Sequence, residues 1–242
     1  MNEHPLKVIV IGGTSGIGEQ LALDYARAGN LVGVTGRRLE KLKEVQHKYF
    51  GQIFIKQMDV TKPVQAVIQL DYLIEKLGGL DLLIYSSGTG HINQELEFDK
   101  EHLTIETNVI GFTAIADRAL NVFIKQQNGH LVNISSINAL RGSDAAPAYA
   151  ASKAYSSNYM EGLRKKIFKA QLPIYLTDIK PGFVDTDMAK GEGLFWVAST
   201  EKASRQIRKA IIKKKKSAYI TKRWRLIGWL LKLAPDWLYF RI

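Results

Sequence analysis

Seven short apolar runs recur along the chain, and each stretch between them is long enough to hold a helix. LKVIVI from Leu6, LVGVT from Leu31, IFIKQM from Ile53, LDLLIY from Leu80, HLVNIS from His130, PIYLTDI from Pro173 and SAYIT from Ser217 read as strands. Most are nearly continuous in apolar residues, as strands covered on both faces are. Strand, helix-length crossover and strand, repeated in this way, implies an α/β fold: a doubly wound, seven-stranded parallel sheet with helices on both faces. The 242 residues carry no internal repeat and no low-complexity linker, which fits one large unit better than two small ones. That unit is expected to occupy residues 1–221, with 222–242 as an extension.

Directly after the first run comes GGTSGIGEQLALDYARAG, with Gly12, Gly16 and Gly18 spaced G-x-x-x-G-x-G ahead of a helical pattern. Such a turn brings backbone close to a pyrophosphate and aims a helix N-terminus at it. The layout is then Rossmann-like, and residues 1–221 read as a dinucleotide-binding and catalytic domain. A dinucleotide site of the NAD type has an acid at the end of the second strand for the ribose 2′-hydroxyl. Here that strand runs into Gly36, Arg37 and Arg38. A guanidinium suits a 2′-phosphate and a carboxylate repels it, so NADP(H) is expected over NAD(H). Arg37 is the expected partner; Arg38 reads more readily as the start of a solvated helix.

Cysteine is absent, which excludes a disulfide framework, a zinc-thiolate site and a thiol nucleophile. No histidine stands near another ligand type at metal spacing, so no metal is expected. The first residues, MNEHPLKVIVIGG, are wrong for a signal peptide, and the cytoplasm is the expected location. Charge is uneven: from Lys202 onward there are 13 lysines and arginines against one acid, Asp236, a balance of +12 that leaves the first 201 residues at −1 within the overall +11. A neutral body argues against a nucleic-acid-binding fold. The basic, aromatic tail has two open readings. Trp224, Trp229, Trp237 and Tyr239 among Lys222, Arg223, Arg225 and Lys232 fit an interfacial segment on the inner face of a membrane. The same residues also fit packing over a crevice or against a neighbouring subunit.

PAYAASKAYSSNYMEGL sets Tyr149 four residues before Lys153, one turn apart on a helix. Ser136 ends the fifth run thirteen residues upstream, and IETNVIGF puts Asn108 on the preceding long helix. In a sheet of this topology the C-terminal strand ends form the ligand crevice, where these segments can converge.

In these residues the chain resembles the short-chain dehydrogenase/reductase family, over roughly residues 5 to 221. The likeness lies in the loop glycines Gly12, Gly16 and Gly18, in Asp59-Val60, Asn108, Ser136, Tyr149 and Lys153, and in PGFVDT from Pro181 to Thr186. It implies hydride transfer between a nicotinamide and a carbonyl or alcohol carbon. Tyr149 would be general acid/base, Lys153 the cation beside it and the holder of the nicotinamide ribose, Ser136 the orienter of the substrate oxygen, and Asn108 the holder of a relay water. Cofactor contacts would fall on Gly12, Thr14, Ser15, Gly16, Ile17, Gly18, Arg37, Asp59, Val60, Ser86, Ser87, Gly88, Tyr149, Lys153, Pro181, Gly182, Val184 and Thr186. It also implies a homodimer or homotetramer through the helices of Asn108 and Tyr149. Two positions depart from the family pattern: Ile11 replaces a threonine, and YSSG, Tyr85 to Gly88, replaces N-N-A-G. The altered YSSG keeps a second reading open, a cofactor-binding sensor or scaffold without turnover. A nucleic-acid binder using the tail is a third. DMAKGEGLFWVAST, with glycines flanking an apolar run, suggests a movable lid and a substrate with apolar character.

Overall fold

The computed structural model describes residues 4–187 and 195–241. Seven strands, β1 (Lys7–Ile11), β2 (Leu31–Gly36), β3 (Ile53–Gln57), β4 (Leu82–Tyr85), β5 (Gly129–Ile134), β6 (Ile174–Pro181) and β7 (Ser217–Ile220), form one parallel sheet in the order β3-β2-β1-β4-β5-β6-β7. The expected doubly wound arrangement is therefore present, and each expected run holds its strand.

The alternation of side chains along a strand divides the core in two. In β1, Ile9 and Ile11 face the layer of α3 (Pro63–Leu77), α5 (Gly111–Gln126) and α6 (Pro147–Lys169), while Val8 and Val10 face α1 (Gly16–Arg27), α2 (Leu39–Lys48) and α7 (Thr200–Ile212). Because both faces are covered, all six residues of β5 are buried, which is why the run showed no polar alternation.

The strand order turns back between β1 and β4, and at such a reversal the loops after neighbouring strands part and leave a crevice. The helix carrying Asn108 is not uniform: α4 (Phe98–Ile105) widens into a π-helical turn at Glu106–Ile110 before α5. Single π turns of this kind concentrate at functional sites. Tyr85 closes the end of β4 behind it. Its hydroxyl donates to the Thr107 carbonyl at 2.9 Å, and its ring meets Phe112 edge to face at 5.2 Å. The YSSG departure thus puts a buried tyrosine where it ties β4 to the widened turn. After β7 come α8 (Trp224–Leu233) and α9 (Asp236–Tyr239). Among the described residues no helix is long and apolar enough to cross a membrane.

Candidate active site

At the C-terminal ends of the strands lies a cavity of about 860 Å³. Its first wall is the turn between β1 and α1. Gly12 has φ +80° and Gly16 +57°, in the left-handed region. A Cβ on Gly12 would sit 2.6 Å from the Ser87 amide nitrogen, and one on Gly18 2.2 Å from the Gly12 carbonyl oxygen. Only glycine lets these three backbone segments close together. Gly18 does its work in that packing and does not line the cavity. The Ser15 side chain caps none of the helix N–H groups, so the first turn of α1 presents its donors toward the cavity where an anion would sit.

Beside this turn, β2 ends in Gly36, Arg37 and Arg38 with no carboxylate. The Arg38 guanidinium donates to Thr14 Oγ1 and Ser15 Oγ, both at 3.2 Å. Arg37 also lines the cavity, and its carbonyl accepts from Gln57. The residue read as mere helix start thus lies on the loop hydroxyls. Asp59 lines the next wall with Val60, its carboxylate accepting from the Thr61 N–H at 3.0 Å and hydroxyl at 2.9 Å. Ser86, Ser87 and Gly88 line the floor, and Thr14, Ser15, Gly16 and Ile17 line the rim.

Ser136, Tyr149 and Lys153 meet on the far side. Pro147 opens α6, so Tyr149 stands in its first turn with its phenol in hydrogen-bonding reach of Ser136. Burial pushes the phenol up, and the Ser136 bond opposes that only in part. Lys153 is 7% exposed; its Nζ donates to the Ile134 carbonyl at 3.1 Å and lies 5.8 Å from the Tyr149 ring centre. Burial pulls its pKa down to about 8, with Asp178 pulling the other way, so it is largely an ammonium at neutrality. Gly90, which sequence reasoning passed over, is the surface under the tyrosine: a Cβ there would sit 2.5 Å from the ring. The signal available was the repeated glycine in G-T-G, uninformative until its neighbour in space is known.

Asn108 stands behind this group and does not line the cavity. Its Nδ2 donates to the Thr89 carbonyl at 2.7 Å and to Ser152 Oγ at 2.9 Å, and its Oδ1 accepts from the Thr89 N–H at 2.9 Å. Both amide hydrogens are spent on protein partners. The side chain clamps the loop between Gly88 and Gly90 to α6.

The last wall is Pro181 to Thr186. Val184 pairs with Ala198, and Asp185 and Ala198 donate to the Ala198 and Phe183 carbonyls at 2.9 and 3.0 Å. A Cβ on Gly182 would sit 2.0 Å from the Trp224 indole, so the first residue of α8 is packed on the Pro-Gly turn. Phe183 meets Trp224 edge to face at 5.2 Å, and Phe195 stacks on Trp224 at 5.1 Å. Of the expected lid, Gly191, Gly193 and Leu194 lie outside the described residues; Phe195 and Trp196 join this aromatic cluster.

Comparison with known proteins accords with this geometry. The model of the short chain dehydrogenase family matches residues 6–194. The chain belongs to that family. An uncharacterized oxidoreductase of Myxococcus xanthus is 34% identical over 185 residues, covering 74% of this chain and 72% of the relative. The fold is shared with a short-chain dehydrogenase from Streptomyces avermitilis (TM-score 0.82, 22% identity, 95% of this chain and 92% of that one) and with ElxO with NADP bound (0.78, 24%, 90% and 97%). This short-chain dehydrogenase is thus an NAD(P)-dependent oxidoreductase. Its residues fit such a cofactor on their own terms: the glycine turn lets backbone close up along the cavity wall where a side chain would collide with neighbouring backbone, and the uncapped helix donors of α1 face the cavity beside it.

Proposed function

We propose that this short-chain dehydrogenase interconverts a carbonyl and an alcohol with NADP(H), using Tyr149 as general acid/base. The observation that carries the proposal is the seating of Tyr149, with its phenol in reach of the Ser136 hydroxyl, its ring against Gly90 and the Lys153 ammonium beside it. Bound nicotinamide supplies or accepts the hydride. In reduction, Ser136 orients the substrate oxygen by a hydrogen bond, and Tyr149 gives its proton to that oxygen as charge develops on it. Burial keeps the phenol protonated and ready to donate. Lys153 stabilises the phenolate left behind; in oxidation the same residues act in reverse. Asn108 is a positioning residue, holding the Thr89 backbone and α6 in register.

Arg37 and Arg38, without an acid at the end of β2, support NADP(H) over NAD(H), and so does the NADP bound to ElxO. Ile92, Ile137 and Phe183 line the cavity beside Tyr149 and support a substrate with apolar character. Ile105, Ile110 and Tyr155, exposed on the helices of Asn108 and Tyr149, support a homodimer or homotetramer through those helices. A panel of aldehydes and ketones assayed by NADPH absorbance tests the activity. NADPH oxidation with apolar members, well above that with NADH, is expected. NADPH binding without turnover across the panel would overturn it in favour of a cofactor-binding sensor.

A further inference from the structure

The tail helices have two dissimilar faces. On one, Trp224 and Gly228 are buried, Gly228 against Tyr219 and Leu140. The other carries Leu226, Trp229, Leu230 and Leu233, at the i, i+3, i+4, i+7 spacing of a single helical stripe, and all are between 58% and 78% exposed. Trp237 and Phe240 continue the apolar surface at 65% and 78%. The segment is nonetheless held firmly to the body. Arg141 donates to the Asp236 carboxylate at 2.8 Å and to the Ala234 carbonyl at 3.2 Å, its guanidinium lies 4.3 Å from the Tyr239 ring centre, and the Tyr239 hydroxyl donates to the Gly142 carbonyl. A face kept apolar and exposed on an anchored helix calls for a partner.

The charges around it say which. Lys222, Arg223, Arg225, Lys232 and Arg241 are exposed on the same segment. Its one acid, Asp236, is already paired with Arg141. A second copy seated on this face would set these five cations against their own equivalents, because a two-fold contact pairs a patch with itself. An anionic lipid surface pairs with them and also receives the apolar stripe. Lys213 to Lys216 take no part, since they precede β7 and lie at its far end, roughly 13 Å of strand away.

We propose that α8 and α9 dock this enzyme on an anionic bilayer, with Leu226, Trp229, Leu230, Leu233, Trp237 and Phe240 inserted and the five cations at headgroup level. Trp224 joins the docked helix to Phe183, which lines the cavity, and to Phe195, so docking places the cavity beside the membrane. The docking stands independently of the reaction assigned above.

The test is sedimentation of the full chain with large unilamellar vesicles of phosphatidylglycerol and phosphatidylcholine, against pure phosphatidylcholine. Binding to the anionic vesicles at low salt is expected, with a blue shift of tryptophan emission. It should weaken strongly near 0.5 M salt, where screening falls to about 4 Å. Leu230→Glu with Leu233→Glu should weaken it at least tenfold while leaving NADPH binding and the melting temperature unchanged. Lys213→Gln with Lys215→Gln and Lys216→Gln should change it less than threefold, on the order of what distant screened charges contribute. The proposal is overturned if the intact chain ignores anionic vesicles, if it binds neutral vesicles equally, or if the lysine triple variant loses binding while the leucine double variant keeps it. It is also overturned if the double variant instead lowers the oligomeric state, which would assign the face to a second copy.

Discussion

Replacing Gly90 by alanine probes the seating of the tyrosine without touching the tyrosine. Gly90 does not have a positive φ, so alanine imposes no backbone strain. The added Cβ would lie 2.5 Å from Cδ2 of Tyr149, 2.9 Å from Cγ and 3.1 Å from Cε2. Carbon atoms rest at about 3.5–4.0 Å, so the ring must retreat from the loop by about 1 Å. A misplacement of about 1 Å costs a positioned catalytic group up to ~100-fold, or ~2.7 kcal/mol of barrier. Overpacking should cost about 1–3 kcal/mol of stability, tolerable for a chain with this core. The assay compares kcat and KM on the best carbonyl of the panel with NADPH affinity measured by fluorescence titration. The expected result is kcat reduced by one to two orders of magnitude with NADPH affinity within about threefold, since the glycine turn and the arginines expected to hold the pyrophosphate and 2′-phosphate lie away from Gly90. A kcat above half the wild-type value would refute the geometry, and so would equal losses of kcat and of NADPH affinity.

Arg38→Ala should weaken NADPH about tenfold, the lower end expected for a charge-assisted bond at an exposed site, and leave NADH unchanged; titration showing equal losses for both would remove the 2′-phosphate assignment, and Arg37→Ala under the same titration apportions the two. Lys153 has a pKa lowered to about 8, so it is charged below that pH and neutral above it. Carbonyl reduction should accordingly lose rate as pH rises through about 8. Asp178 holds that pKa up, so in Asp178→Asn the limb should move to lower pH; a pH–kcat profile with a limb unmoved or shifted upward contradicts this. Trp224→Ala should cost about 3–5 kcal/mol in chemical denaturation, whereas Trp224→Phe should cost much less. Among the described residues the buried indole nitrogen has no hydrogen-bond partner to lose. Equal losses for the two Trp224 variants would mean that the aromatic stack does not carry the packing.

The strands were legible because parallel strands covered on both faces must be apolar throughout, a property that survives without knowledge of neighbours. Gly12 and Gly16 were legible for a related reason, because positive φ and close backbone approach leave one residue type. Gly90 was not, since its constraint comes from a ring 59 positions away that no local pattern reports. Asn108 was found on a helix but expected to hold water. Its clamp on Thr89 depends on a widened turn and on the loop that reaches it. Arg38 was discounted because it opens α2, although a long side chain at a helix start can still reach a loop alongside. The basic tail was read from its composition alone, whereas β7 separates Lys213 to Lys216, before the strand, from the cations of the tail helices after it. Net charge along a sequence does not say on which end of a strand it emerges.

The most direct test of the proposed reaction is Tyr149→Phe, which removes one oxygen and leaves the ring on Gly90 and the cation beside it. Measured on the carbonyl that the wild type turns over fastest, kcat should fall by at least ~1000-fold, within the range lost with a general acid. NADPH affinity, measured by titration, should stay within about threefold. Retention of more than half the wild-type kcat, with NADPH still bound, would contradict the assignment of Tyr149 as the proton donor.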